Sequence, residues 1–287
     1  MPANLYALAA VALWAALASL GVLLAHVPPF LLTGIALMTG GLLAVPAALR
    51  DHSLWRVAPR TLALGVLTLF GFHFLLFIGL RLAPAVEVNL VNYLWPLFIV
   101  VLAPLYVPGL RLRGTHVLAA LLGFAGAAVA ILGARQASAA LALEGRAALG
   151  YGLALGSALI WANYSLQTKR LALAGRGFAT AAVGLFGLVS GALSLLCHWL
   201  LEPAADLSWR DAGLLLALGL GPLGGAFYLW DRALKLGDPR HIGLLSYGTP
   251  LASTALLLLT SGRDWSASLG VAALLIVGAG LIGLRSR

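Results

Sequence analysis

Charge is what this 287-residue chain has least of. Only 9% of its residues are charged, against roughly one-quarter in a soluble domain. That shortage excludes an ordinary soluble globular protein. Intrinsic disorder is excluded as well, because it needs low hydrophobicity and this chain is 62% hydrophobic. Cysteine is nearly absent. The single Cys197 cannot close an intrachain disulfide, and it reads as a small packing residue in an apolar run. Lysine is scarce beside arginine, 2 against 16, which with abundant alanine reads as a GC-rich bacterial composition. No His-Glu-x-x-His, no aspartate pair and no Cys/His cluster is present, so nothing marks an enzyme, a metal site or a cofactor site. A phosphate-cradling glycine loop ending in Lys-Ser/Thr is also missing, which argues against an ATP-driven pump.

What is present is long apolar runs. A membrane helix needs about 20 mostly apolar residues. Ten candidate spans meet this, at 4–26, 30–49, 60–80, 84–107, 115–134, 148–168, 178–201, 211–234, 239–261 and 267–284. Pro, Gly or charge interrupts them, as at Val27-Pro28-Pro29, Arg50-Asp51-His52, Pro108-Gly109 and Gly237-Asp238-Pro239. The expected fold is therefore an all-α membrane protein of ten transmembrane helices, with the first span kept as a mature helix rather than a signal peptide.

The net charge of +9 does not point to nucleic acid, because the basic residues are spread over short gaps. Alternate gaps hold 13 and 5 basic residues. The positive-inside rule then puts both termini in the cytoplasm, and the lipid bilayer becomes the first partner.

The two halves also echo each other. Leu13-Trp14-Ala15 matches Ile160-Trp161-Ala162, and Gly71-Phe72-His73 matches Ala226-Phe227-Tyr228. Arg81 and Pro84 match Lys235 and Pro239, Pro96 matches Pro250, and Ala119–Leu122 matches Ala272–Leu275. The offsets stay between 147 and 155. This predicts five-helix repeats at 1–134 and 148–287 joined by a linker at 135–147. Five is odd, so the second repeat enters the membrane inverted, an architecture of secondary transporters.

With Trp in the first helix of each half and Pro late in the third-to-fourth hairpin, the whole chain resembles the drug/metabolite transporter superfamily, EamA-type. Asn89-Leu90-Val91-Asn92-Tyr93-Leu94-Trp95-Pro96 and Trp161-Ala162-Asn163-Tyr164 resemble its aromatic amino acid exporters. The resemblance implies a multi-pass protein of the bacterial inner membrane, a central cavity between the halves, and aromatic amino acids or paraquat-like cations as cargo.

The residues themselves give candidate contacts. Asn89, Asn92, Tyr93 and Pro96 fall at i, i+3, i+4 and i+7, one face of a helix. In lipid such a face turns to a cavity or to another helix. Trp95 lies one step off it, against cavity or lipid, and Pro96 predicts a kink. His73, with Tyr228 as its repeat mate, reads as a carboxylate or ring partner, or as a neutral core histidine. Trp161, Asn163 and Tyr164 cluster in the sixth span. Trp14, Trp95, Trp161 and Trp230 lie deep, while Trp55, Trp199, Trp209 and Trp265 belong to the interfacial belt. Tyr247 is the candidate from Ser246, Tyr247 and Thr249.

The expected substrate-binding set is thus His73, Asn89, Asn92, Tyr93, Trp95, Trp161, Asn163, Tyr228 and Tyr247. Aromatic faces and amides suit a flat amino acid, and the same faces attract an organic cation. With no acidic residue standing out mid-membrane, a facilitative exporter is the first reading; a proton-coupled exporter of drugs or organic cations is the alternative. Glu87 reads as a helix N-terminal charge, and Asp231–Lys235 as an i,i+4 pair. Gly152/Gly156, Gly187/Gly191 and Gly221/Gly225 read as close helix contacts, in a monomer or a dimer.

Overall fold

A computed structural model describes residues 2–133, 146–261 and 267–285. Most of the expected 135–147 linker, and Trp265, lie outside the described residues. The described residues form helices and no strand. In chain order these are α1 (Ala3–Leu23), α2 (Pro29–Leu42), α3 (Val45–Arg50), α4 (Pro59–Val66), α5 (Phe72–Leu82), α6 (Ala85–Asn92), α7 (Trp95–Tyr106) and α8 (Gly114–Gly133). Then follow α9 (Ala147–Leu173), α10 (Ala182–Leu201), α11 (Trp209–Leu220), α12 (Ala226–Leu236), α13 (Pro239–Ser246), α14 (Gly248–Ser261) and α15 (Ala267–Arg285).

Five stretches are long and apolar enough to cross a bilayer: Ala3–Leu23, Pro59–Leu82, Glu87–Tyr106, Ala182–Leu201 and Trp209–Leu236. Their mean hydropathy runs from 1.7 to 2.2. Shorter apolar helices accompany them at Pro29–Leu42, Gly114–Val129 and Gly270–Gly283. Two of the long stretches contain a π-helical turn, Leu67–Gly71 between α4 and α5 and Gly221–Gly225 between α11 and α12.

The helix contacts come in corresponding sets. α2 packs along α10, and α8 along α15. α1 packs against the Gly221–Gly225 turn, α12, α13 and α14, while α9 packs against the Leu67–Gly71 turn, α5, α6 and α7. The α2–α10 contact is made by glycine. A Cβ on Gly41 would meet the Gly184 carbonyl oxygen at 2.8 Å and the Leu188 amide nitrogen at 2.9 Å. One on Gly191 would meet the Gly34 carbonyl at 2.9 Å. Gly152 has nothing within 4 Å and makes no helix contact, whereas a Cβ on Gly156 would meet a Leu75 methyl of α5 at 3.3 Å. Gly221 and Gly225 bound a π-helical turn, and a Cβ on each would meet a Leu13 methyl of α1, at 3.8 and 3.5 Å.

The expected Pro96 kink is a break. α6 stops at Asn92, the chain turns through Tyr93 and Leu94, and Pro96 falls in the first turn of α7. Proline is tolerated there because the first helical amides have no carbonyl to meet. α13 and α14 break in the same way around Tyr247, ahead of Pro250.

Polar ties define the two ends of the bundle. At one end Glu202 accepts the Phe30 amide at 3.0 Å, the Leu31 amide at 3.2 Å and the Arg81 guanidinium at 2.8 Å. It thereby satisfies the open N-terminus of α2. His198 Nδ1 lies 3.0 Å from the same carboxylate, and His26 Nε2 lies 3.2 Å from Asp211 at the start of α11. At the opposite end Trp55 donates to the Ala181 carbonyl, and Arg240 to the Arg111 carbonyl.

Candidate functional site

Four indoles meet in the middle of the bundle. Trp14 comes from α1, Trp95 from the start of α7, Trp161 from α9 and Trp230 from α12. Every pair among them has ring centroids 5.2–6.5 Å apart, mostly edge-on or tilted. That separation is the favourable range for aromatic pairs, each adding about 0.5–1.5 kcal/mol beyond area burial. Two of the rings are pinned. Trp14 Nε1 donates to the Pro222 carbonyl at 3.1 Å, and Trp230 Nε1 to Ser165 Oγ at 3.2 Å. Pro222 lies in a π-helical turn, where the widened ladder frees carbonyls from their usual amides. Trp161 Nε1 is buried with no partner among the described residues.

Above this cluster is a cavity of about 580 Å3. Trp14, Trp95, Trp161, Phe72 and Phe227 form its aromatic floor, with Trp230 fully buried behind them. Leu24, Ala25, Val27, Pro29 and Leu80 line it toward the Glu202 end. No described residue from the Arg240 end reaches its wall, so the cavity lies in the half of the bundle toward Glu202. Its polar side chains are Thr33, His73, Asn89, Asn92, Tyr93, Thr249 and Ser253. Among the described residues no Asp, Glu, Lys or Arg lines it.

Each polar position has a local cause. His73 follows the Leu67–Gly71 turn, and its Nδ1 lies 2.6 Å from the Leu69 carbonyl. Asn92 ends α6, and its amide nitrogen donates to Ser157 Oγ at 2.5 Å. Tyr93 and Trp95 flank the α6–α7 break, which turns both to the cavity. Below the floor, Asp231 and Lys235 form an ion pair at 2.6 Å. Thr180 donates to Asp231 at 2.7 Å, Lys235 to the Phe178 carbonyl at 2.7 Å, and Lys169 to the Lys235 carbonyl at 3.2 Å.

Of the nine expected contacts, His73, Asn89, Asn92, Tyr93, Trp95 and Trp161 line this one cavity. Asn163, Tyr228 and Tyr247 do not. Asn163 accepts the Tyr106 hydroxyl at 3.0 Å, a contact between α9 and α7. Tyr228 donates to the Gly40 carbonyl at 3.0 Å and so faces α2. Tyr247 is fully buried, and a Cβ on Gly123 of α8 would run into its ring. Sequence reasoning missed Phe72 and Phe227. Phe227 is one residue from the expected Tyr228, and its ring centroid lies 6.5 Å from His73.

The model of the EamA-like transporter family matches residues 1–132. The aromatic amino acid exporter YddG of Ancylobacter novellus is 41% identical over 279 residues, covering 96% of this chain and 94% of that protein. The chain belongs to the EamA-like transporter family. It is thus a multi-pass membrane transporter of the drug/metabolite transporter superfamily. The exporter of the same name from Salmonella typhimurium is 33% identical over 216 residues, covering 71% of this chain and 68% of that one. A crystal structure with 39% identity matches 99% of this EamA-like chain and 98% of its own, with a TM-score of 0.90.

Proposed function

We propose that this EamA-like transporter exports aromatic and other neutral amino acids by facilitated alternating access. The observation that carries the proposal is the indole-floored cavity with no charged side chain among its described lining residues. Aromatic faces stack a flat side chain, and the His73, Asn89, Asn92 and Tyr93 groups hydrogen-bond a zwitterionic head. The described wall offers hydrogen-bonding groups and aromatic faces but no counter-charge, so it suits a zwitterion that brings N–H donors better than a quaternary cation that has none. The name shared by the curated relatives points to the same cargo.

In this proposal ten helices form two inverted five-helix repeats, at 1–134 and 148–287. The exchange of α1 for α9 in otherwise corresponding contacts, and the two π-helical turns, support it. Both termini face the cytoplasm of a bacterial inner membrane, by the bias in basic residues. The cavity then lies on the outward side, with the Trp cluster and the Asp231–Lys235 pair between it and the cytoplasm. Rocking of the repeats about the α6–α7 and α13–α14 breaks would open it inward.

The test is flux of labelled Phe, Trp, Tyr, Leu, Lys and Glu in liposomes holding the purified protein, with and without a pH gradient. Aromatic flux is expected without a gradient and should fall in Trp161→Ala. A folded preparation that moves none of these amino acids would refute the reading.

A further inference from the structure

Two polar groups in the cavity wall have their hydrogen-bonding polarity fixed from behind. The first is His73. A carbonyl oxygen can only accept, so the 2.6 Å contact with Leu69 requires the hydrogen on Nδ1. The neutral ring then has only its Nε2 lone pair left to present. The second is Asn92. Ser157 donates its single hydroxyl hydrogen to the Ala154 carbonyl at 3.2 Å, so toward Asn92 it can only accept. Asn92 therefore turns its amide nitrogen to Ser157. That bond uses one of the two amide hydrogens, and Oδ1 is the acceptor that the side chain still offers.

The two acceptors share a neighbourhood. Ser157 sits four residues, one helical turn, before Trp161 on α9. Phe72, next to His73 in the chain, packs on Trp161 with centroids 5.4 Å apart. Both residues line the same cavity. An acceptor pair beside an indole suits a group that carries several N–H donors on a short arm from an aromatic ring.

We propose that His73 Nε2 and Asn92 Oδ1 form the subsite for a substrate ammonium, and that Ser157 is the positioning residue that fixes its polarity. This deepens the amino-acid reading above and rests on it. The subsite reads N–H donors, not positive charge alone, because it holds no carboxylate among the described lining residues. Ser157 touches no cavity surface of its own in this arrangement; it acts through Asn92. It is fully buried, so its loss is felt through the amide.

The test is ligand-dependent thermal stabilisation of the purified full-length protein in detergent, with L-tryptophan, tryptamine, indole-3-propionate and N,N,N-trimethyltryptophan. Tryptophan and tryptamine should bind. The deaminated and trimethylated compounds should bind about tenfold or more weakly, the scale of one lost charge-assisted hydrogen bond. Ser157→Ala leaves the Asn92 amide free to turn its nitrogen outward. The tryptophan-to-indole-3-propionate preference should then shrink severalfold, and Ser157→Thr, which keeps the hydroxyl, should restore it. A preference unchanged in Ser157→Ala overturns the proposal, as does equal binding of tryptophan and its trimethyl form. Binding of tryptamine without tryptophan would refute the amino-acid reading and leave the subsite standing. If neither compound stabilises the folded protein, both fall.

Discussion

Adding one methyl group at Gly41 should separate two roles that glycine plays in this bundle. The Cβ of Gly41→Ala would lie 2.8 Å from the Gly184 oxygen, 2.8 Å from Leu188 Cγ and 2.9 Å from the Leu188 nitrogen. Two of these are backbone atoms of α10, which no rotamer change can move aside. The helices must separate by a few tenths of an ångström, and with them the contacts at Gly34 and Gly191 along the same seam. Overpacking of this kind costs roughly 1–3 kcal/mol. At roughly 2–4 °C per kcal/mol, that is a fall in Tm of about 5 °C. Gly152→Ala is the matched control. It lies in α9 with nothing within 4 Å, so it gains helix propensity of up to about 1 kcal/mol and meets no neighbour. Thermal unfolding of both variants in one detergent is the assay. Equal shifts, or a stable Gly41→Ala, would refute the claim that backbone contact closes the α2–α10 seam.

Two further outcomes follow from charged groups. Removing either partner of the Asp231–Lys235 pair, as Asp231→Leu or Lys235→Met, leaves a buried charge and should cost about 3–5 kcal/mol, while the double variant recovers most of it; simple additivity in a double-mutant cycle would contradict this. Burial raises the Asp238 carboxyl, but hydrogen bonds from the Arg240 side chain and amide, with its charge, outweigh that and hold it below the usual carboxylate range. Because the folded value is depressed, its contribution is present above the ordinary carboxylate range and fades as pH falls through the folded value. Acid titration of Tm should therefore show a smaller decline in Asp238→Asn than in the native chain, and parallel curves would sink the assignment.

The sequence carried the parts of the cavity lining that depend on residue type and depth. Trp14, Trp95 and Trp161 were legible because large aromatics far from span ends have few places to go but a core or a cavity. Asn89, Asn92 and Tyr93 were legible from their shared helical face. What periodicity could not supply was register after an irregular turn. The expected face ran on to Pro96, but α6 ends at Asn92, and Trp95 turns inward in its place. The π-helical turns at 67–71 and 221–225 insert a step that a 3.6-residue period does not contain, and the cavity takes Phe227 rather than Tyr228. Tyr247 and Asn163 are polar groups spent on helix packing, and composition alone does not distinguish the two uses.

The four-tryptophan cluster has an optical consequence. Indoles with centroids 5.2–6.5 Å apart share excitation, so the core should emit as a coupled unit. Trp199 and Trp209, at 77% and 94% exposure, stand apart from it and report on the surroundings of the bundle instead. Any flat molecule settling on that floor would displace water from the rings and change their surroundings directly. The transporter thus carries its own reporter at the point where its cargo is expected to rest, and no external dye is needed to watch that position fill and empty.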